Sequence, residues 1–133
     1  MSKCIFCKIA NHEIPAHIIF EDDIVMAFLD NDPISDGHTL IIPKKDVMDI
    51  NSIDSETGKR IIEVAKVIPD KIIKEFKFDG TMLMEVNGIF QDVPHFHLHV
   101  FGRNKNNDIK FNYPKNTNSD EDHLKRNASR ISY

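Results

Sequence analysis

Three histidines alternate with apolar residues in the run 95–101, and this alternation constrains the fold more than any other feature of the 133-residue chain. Successive side chains of a β-strand point to opposite faces, so an extended run would place all three imidazoles on one face and Phe96, Leu98 and Val100 on the other. The sequence therefore predicts a strand with one apolar core face and one face built for chemistry. The alternative is a strand whose wet face carries three solvated imidazoles without a function.

Composition and charge exclude several kinds of protein. The hydrophobic fraction of 41% and the charged fraction of 29% are ordinary for a globular domain, and 133 residues are enough for one domain with its own core. A formal net charge of −4 does not favour binding to a nucleic acid or to a membrane surface. The chain has neither a secretory signal pattern nor an apolar stretch near the roughly 20 residues of a transmembrane helix. We therefore expect a single cytoplasmic domain.

Periodicity and turn residues predict an α+β domain, with a five-stranded antiparallel sheet, one long helix, a short N-terminal helix and a C-terminal helix. Strands are expected at 18–20, 24–29, 38–42, 81–86 and 95–101. A short helix is expected over 4–10, with Pro15 preventing its continuation, and the long helix over 52–76, capped by Asp54 or Ser55 and kinked or broken at Pro69. Residues 102–118 are expected to form a mobile surface loop, and a final helix is expected to start at Ser119 and run toward Ile131.

The histidine run and its surroundings resemble the histidine-triad (HIT) superfamily, whose signature is His-x-His-x-His-x-x with apolar x. Other segments that match in order are 13–16, 20–23, 27–30, 37–44 and 91–95. The resemblance covers about residues 4–102 and is strongest to the Hint branch of nucleotide-binding phosphoramidases. It implies a single HIT domain over 1–133 with a HIT-like fold, a divergent loop and helix at 103–133, and a homodimer.

The resemblance also implies a reaction. His97 would attack the α-phosphorus of a purine nucleoside 5′-phosphoramidate, or a related α-phosphate bond, to give a nucleotidyl-histidine that water then hydrolyses; a neutral imidazole is a competent nucleophile near pH 7. His99 would stabilise charge on the phosphate or leaving group, and His38 would act as a proton relay or orienting residue. The alternative for His38 is a buried imidazole with satisfied hydrogen bonds.

The family's substrate-binding positions fall on apolar and polar residues. They are Ile5, Phe6, Ile9, Phe28, Asp30, Asn87, Gln91 and Val93. The resemblance implies that Asp30 accepts hydrogen bonds from the ribose hydroxyls. Each apolar member of the set could equally be plain core, and Asp30 could be only a turn former ahead of Pro33.

A Cys-x-x-Cys pair at Cys4 and Cys7 is by itself half of a zinc site. The resemblance implies that His95 supplies a third ligand, and the position of the family's remaining ligand, usually His, is occupied here by Asp46. A structural zinc held by Cys4, Cys7, Asp46 and His95 is therefore expected. The alternative is a pair of thiols that hold no metal.

Two departures from the family pattern open other functions. Asp92 stands where the family usually has Ser or Thr donating to the phosphate, and an ionised carboxylate there would repel an anionic substrate. The loop before Gln91 is short and has Phe90 in place of the usual Gly. The alternatives are therefore a purine-nucleotide-binding regulatory module with weak turnover, or a dinucleoside polyphosphate hydrolase like the Fhit branch.

Overall fold

A five-stranded antiparallel sheet forms the centre of the computed structural model, which describes residues 4–115 and 117–133. The strands are β1 (Ile18–Glu21), β2 (Val25–Leu29), β3 (Thr39–Pro43), β4 (Gly80–Met84) and β5 (Leu98–Arg103), in the order β1-β2-β3-β5-β4. The helices are α1 (Ile5–Ala10), α2 (Ser55–Ala65), α3 (Ile68–Phe76) and α4 (Glu121–Ile131), with 3₁₀ turns at Ile50–Ser52 and Gly88–Phe90. The predicted α+β class is confirmed. None of the helices in these described ranges is long and apolar enough to cross a membrane.

Alternate residues of the strands build two cores, one on each face of the sheet. The core beneath α2 and α3 contains Val25, Ala27, Ile41, Ile61, Val64, Ala65, Ile68, Ile72, Phe96 and Val100. The core beneath α1 contains Phe6, Ile9, Ala10, Met26, Phe28, Leu40 and Ile42. Neighbouring residues of β2 and β3 thus face opposite ways, as a pleated strand requires. Burial on both faces explains why these strands are nearly continuous apolar runs.

The long helical segment is divided into α2 and α3. Asp54 caps α2 by accepting a hydrogen bond from the Thr57 amide at 2.8 Å, as expected for one of the two proposed caps. The break lies at Lys66 and Val67, slightly before Pro69, which occupies the first turn of α3. Proline is tolerated there because its missing N–H would have no partner within the helix. The expected break is confirmed and its position is refined.

The strand carrying the histidine run begins at Leu98 rather than at His95. Pro94 has no amide hydrogen, and the Phe96 amide donates to the Val47 carbonyl at 2.7 Å, so the chain joins the ladder only where Leu98 pairs with Ile41. The expectation of one strand over 95–101 was therefore wrong at its start. The division of side chains between the two faces is nevertheless confirmed.

Several other boundaries differ from the sequence-based expectation. Helix α1 begins at Ile5, one residue later than expected, and ends at Ala10 as expected; His12 then takes a left-handed conformation with φ 59°. The start of the expected surface loop is wrong, since residue 102 lies in β5. Helix α4 is capped by Asp120, one residue after the expected Ser119, through the His123 amide at 2.9 Å.

Candidate active site

Three imidazoles from two adjacent strands meet on the α1 face of the sheet. His97 lies immediately before β5, His99 within it, and His38 immediately before β3. The ring centroids of His97 and His99 are 4.9 Å apart, and those of His38 and His99 are 5.1 Å apart. All three side chains are buried. The antiparallel pairing of β3 with β5 therefore brings together residues far apart in the chain.

The protons on His38 and His99 follow from their hydrogen bonds. The Ile34 amide donates to His38 Nδ1 at 3.0 Å, so the proton of a neutral His38 ring lies on Nε2. His38 Nε2 lies 2.9 Å from His99 Nδ1 and donates to it, which places the proton of His99 on Nε2. Burial lowers the pKa of His38 and lowers that of His99 to about 4. At neutral pH, His99 thus offers an N–H donor without carrying a charge.

The opposite tautomer is set for His97. Its Nδ1–H donates to the His95 backbone carbonyl at 2.7 Å, which leaves a lone pair on Nε2. The carboxylate of Asp92 lies in front of that lone pair, with Oδ1 3.1 Å from Nε2. An electrophile that approaches Nε2 therefore has to displace the Asp92 side chain.

A cleft of about 200 Å³, called here the histidine cleft, opens beside these imidazoles. Its lining residues that were predicted from the sequence are Ile5, Phe6, Ile9, Phe28, Asp30, Val93, His97 and His99. Its further lining residues are Ala16, Leu29, Asn31, Asp32, Leu40 and Asp92. The Phe6 ring packs edge-on against Phe28 and His97, at centroid distances of 5.6 and 5.1 Å. The cleft therefore has apolar walls and a polar end, which suits a ligand with a flat ring and a charged group.

Asp30 lies at the polar end of the histidine cleft, beside His38 and His99. Its Oδ2 is 3.6 Å from His38 Nε2 and 4.0 Å from His99 Nδ1, and its Oδ1 accepts from the Asp32 amide at 2.9 Å. Asp30 is therefore more than a turn former ahead of Pro33.

Two predicted substrate-binding residues lie outside the lining of this cleft. The Asn87 side chain accepts from the Ile50 amide at 3.3 Å and donates to Glu85 at 2.5 Å. The Gln91 amide donates to the Met48 carbonyl at 2.7 Å and to the His95 carbonyl at 3.4 Å. Both residues hold the segment before the triad in place. Their role toward a ligand stays a prediction.

A larger groove of about 540 Å³ lies on the opposite face of the sheet, against α3. Its walls are mainly apolar, and its charged groups are Lys71, Lys74 and Glu75. The described residues that line it include no histidine or cysteine, whereas the smaller histidine cleft holds two imidazoles in defined tautomers. We therefore place the candidate active site in the histidine cleft.

A second cluster suits a metal ion. The ligand atoms of Cys4, Cys7 and His95 all lie within 4.8 Å of one another, and Cys7 Sγ is 3.3 Å from His95 Nδ1. His95 Nε2–H donates to the Pro43 carbonyl at 2.9 Å, so the lone pair on Nδ1 faces the sulfur. A backbone carbonyl that orients the far nitrogen in this way is the usual support of a metal-bound histidine. Asp46 Oδ1 is 3.7 Å from Nδ1 on an exposed side chain.

Asp30, His38 and His99 also place their ligand atoms within 4.8 Å of one another. His38 argues against a metal here, because Nδ1 already accepts from the Ile34 amide. A metal on Nε2 would leave that ring with no proton on either nitrogen. His38 and His99 therefore form a hydrogen-bonded relay with the Asp30 carboxylate beside it, and the donor chemistry separates this group from the cysteine cluster.

The buried relay predicts a loss of stability in mild acid. Unfolding returns His99 to an ordinary pKa near 6.5, whereas the folded protein holds it near 4, mainly by desolvation. The unfolded state therefore binds more protons as the pH falls from 6.5 toward 4, and the free energy of unfolding decreases over that window by a His99 contribution on the order of 2–3 kcal/mol. Denaturant titrations across this range should show a shallower pH dependence in His99→Gln. The exposed His17→Gln should keep the wild-type slope; equal slopes in all three proteins would contradict the assignment.

Fold and site together define an α+β protein with a histidine triad, His95, His97 and His99, and a fourth imidazole, that of His38, beside it. The family model of the HIT domain matches residues 11–106, and the chain belongs to the HIT family. It is 36% identical to an uncharacterized HIT-like protein of Borreliella burgdorferi over 136 aligned residues, which cover 99% of this chain and 98% of that protein. A HIT family crystal structure from Bacillus anthracis superposes with a TM-score of 0.87 at 36% identity, covering 98% of this chain and 95% of that one.

Two curated relatives carry names that state an activity. The adenosine 5′-monophosphoramidase HNT1 of Saccharomyces cerevisiae is 36% identical over 73% of this chain and 60% of its own length. The adenylylsulfatase HINT3 of Arabidopsis thaliana is 32% identical over 75% of this chain and 52% of its own length. A zinc-bound histidine triad protein from Mycobacterium smegmatis superposes with a TM-score of 0.76 at 32% identity, covering 86% of this chain and 84% of that one. The two named activities belong to these relatives, and the bound zinc belongs to one structural neighbour.

The sequence did not predict the hydrogen-bond partners that set the tautomers of His38 and His95. The Ile34 amide and the Pro43 carbonyl are backbone groups, so no residue type could have revealed them. The sequence singled out Asp92 as a departure from the family pattern, but it did not predict the contact between Asp92 and His97. Asn31 and Asp32 follow Asp30 directly, and this proximity was the one available signal that they line the cleft.

Proposed function

We propose that this protein hydrolyses purine nucleoside 5′-phosphoramidates through a nucleotidyl-histidine intermediate on His97. The observation that carries the proposal is the pair of opposite tautomers in one cleft. His97 offers a lone pair on Nε2, and the neighbouring His99 offers an N–H donor. A phosphoryl transfer needs both a nucleophile and a donor for the charge that develops on the phosphoryl oxygens.

The proposed reaction proceeds in two displacements at phosphorus. In the first, His97 Nε2 forms a bond to the α-phosphorus while the P–N bond breaks, and the amine leaves with a proton drawn from water. In the second, water forms a bond to phosphorus and gives up a proton to solvent while the bond to His97 Nε2 breaks, which releases the nucleoside monophosphate. His99 donates to a phosphoryl oxygen in both steps, and its low pKa keeps it neutral, so its donor strength does not change across the neutral pH range.

The base and ribose positions support the same substrate. Ile5, Phe6, Ile9 and Phe28 would hold the purine between apolar walls, and Asp30 would accept the ribose hydroxyls at the polar end. The decisive assay measures release of AMP from adenosine 5′-phosphoramidate by the wild-type protein. Rapid acid-free quenching followed by mass spectrometry should detect AMP covalently attached to the peptide that contains His97. Absence of both product and adduct would reject the proposal.

The contact between Asp92 and His97 favours a second candidate, a nucleotide-binding module without useful turnover. A carboxylate 3.1 Å from the nucleophilic nitrogen obstructs the approach of phosphorus. In that case calorimetry would measure AMP binding while hydrolysis stayed undetectable. Homodimer formation and a cytoplasmic location stay predictions from the resemblance and the composition.

Zinc at the cysteine cluster forms a separate proposal. Zinc prefers four ligands in a tetrahedron, of which Cys4, Cys7 and His95 would supply three. Asp46, whose Oδ1 lies 3.7 Å from His95 Nδ1, would supply the fourth. Such an ion would tie α1 to the segment before β5. Protein purified without chelator should contain about one equivalent of zinc, and Cys7→Ser should contain far less. Zinc near zero in the wild type would refute the site, whereas equal zinc in both proteins would refute the ligand assignment.

A further inference from the structure

The histidine cleft has an unusual balance of charge. Three carboxylates line it, those of Asp30, Asp32 and Asp92, and among the described residues of its lining there is no lysine or arginine. Its donors toward an anion are therefore neutral N–H groups. Such a cleft can hold one phosphoryl charge, but it has no cation to offset a second.

Asp92 is the carboxylate closest to the bond-making nitrogen. Its Oδ1 lies 3.1 Å from His97 Nε2, and the side chain is 77% exposed at the mouth of the cleft. Oδ1 also accepts from the Val93 amide at 3.0 Å, so the carboxylate is anchored beside the triad. When phosphorus takes the place in front of Nε2, this side chain must turn aside. The backbone position of Asp92 keeps the carboxylate next to the phosphoryl group and next to the leaving group attached to phosphorus.

The group next to phosphorus differs between the two activities named among the relatives. A phosphoramidate carries nitrogen, which presents N–H donors and leaves as a neutral amine or as an ammonium cation. Adenosine 5′-phosphosulfate carries a sulfate, which is an anion when bound and leaves with two negative charges. A nearby carboxylate accepts hydrogen bonds from the first and repels the second.

We infer that Asp92 is a specificity-determining residue that favours amine leaving groups over anionic ones. This inference rests on the proposed nucleotidyl transfer to His97 and narrows its substrate class. In both reactions His97 Nε2 forms the bond to phosphorus. The bond that breaks is P–N in one case, with a proton taken up by the amine, and P–O in the other, with the electron pair carried away by sulfate. Only the second reaction brings a further negative charge toward Asp92.

The test compares kcat/KM for adenosine 5′-phosphoramidate and adenosine 5′-phosphosulfate in the wild type and in Asp92→Asn. Asparagine keeps the shape of the side chain and removes its charge. We expect the wild type to prefer the phosphoramidate, and the preference to fall at least tenfold in Asp92→Asn, chiefly because the phosphosulfate rate increases. Asp23→Asn, an exposed position outside the cleft, changes the net charge equally and should leave the preference unaltered.

The outcomes separate this inference from other roles of Asp92. If Asp92 only covers the nucleophile, Asp92→Asn will raise both rates by the same factor, and an unchanged preference overturns the inference. If the wild type hydrolyses neither compound and forms no adduct, the proposed function fails. Even then, the ratio of the two dissociation constants in the wild type and Asp92→Asn tests the repulsion directly. A ratio that does not change on substitution rejects it.

Discussion

The His97→Ala variant is expected to lose hydrolysis of adenosine 5′-phosphoramidate by roughly 10³-fold or more, because it removes the atom that would bond to phosphorus. The remaining imidazoles cannot replace it. The proton of His99 is held on Nε2, and His38 is turned toward Ile34 and His99 by its two hydrogen bonds. Steady-state release of AMP measures the loss, and mass spectrometry should show no nucleotidyl adduct on the variant.

Controls for this variant come from the same chain. His17→Ala removes an exposed imidazole outside the cleft and should retain wild-type turnover. Thermal unfolding of His97→Ala shows whether the variant is folded, since it loses the hydrogen bond to the His95 carbonyl. A folded His97→Ala protein with normal turnover would end the assignment of the nucleophile.

Gly102→Ala is expected to lower the free energy of unfolding by about 2–3 kcal/mol, the upper part of the range for overpacking. A β-carbon at this position of β5 would overlap the ring of Phe78, including the ring atom nearest the backbone, so a simple rotation cannot relieve the contact. Phe78 packs against the core beneath α2 and α3. Chemical denaturation monitored by circular dichroism measures the change.

Gly80→Ala provides a matched comparison. Gly80 begins β4 and pairs with Arg103, but a β-carbon there meets no described atom within 4 Å. This variant should remain close to the wild type in stability. Equal stability of the two alanine variants would show that Phe78 does not restrict β5. The Ser35 hydroxyl donates to the Gly102 carbonyl at 2.9 Å, so a displaced strand would also shift the loop that carries Ile34 and His38.

The parts of the fold that depend on local pattern were predictable from the sequence. Alternation placed Phe96 and Val100 in the core and the imidazoles on the other face, and turn chemistry around Asp22 located the first hairpin, where Asp22 accepts from the Ile24 and Val25 amides. The division of the long helix near Pro69 was predictable because proline has no amide hydrogen to donate within a helix. These features depend on near neighbours in the chain, so residue type carries the information.

The parts that depend on long-range contacts were not predictable from composition or spacing. The start of β5 depends on the Val47 carbonyl, because the Phe96 amide donates to it instead of to a neighbouring strand. The placement of Asn87 and Gln91 outside the cleft depends on Ile50 and Met48 in the segment after β3. The family resemblance supplied the roles of the site residues, whereas the proton positions required the hydrogen-bond partners.

Main-chain groups, rather than side chains, orient His38, His95 and His97, and His38 in turn orients His99. The Ile34 amide fixes His38, the Pro43 carbonyl fixes His95, and the His95 carbonyl fixes His97. Any residue type can present an amide hydrogen, except proline, and any can present a carbonyl. Substitutions at 34 and 43 that keep the backbone path would therefore leave the imidazoles oriented. Insertions or deletions between β2 and β3, or between Gly88 and His97, would move these reference groups, so the site constrains loop length more strongly than loop sequence.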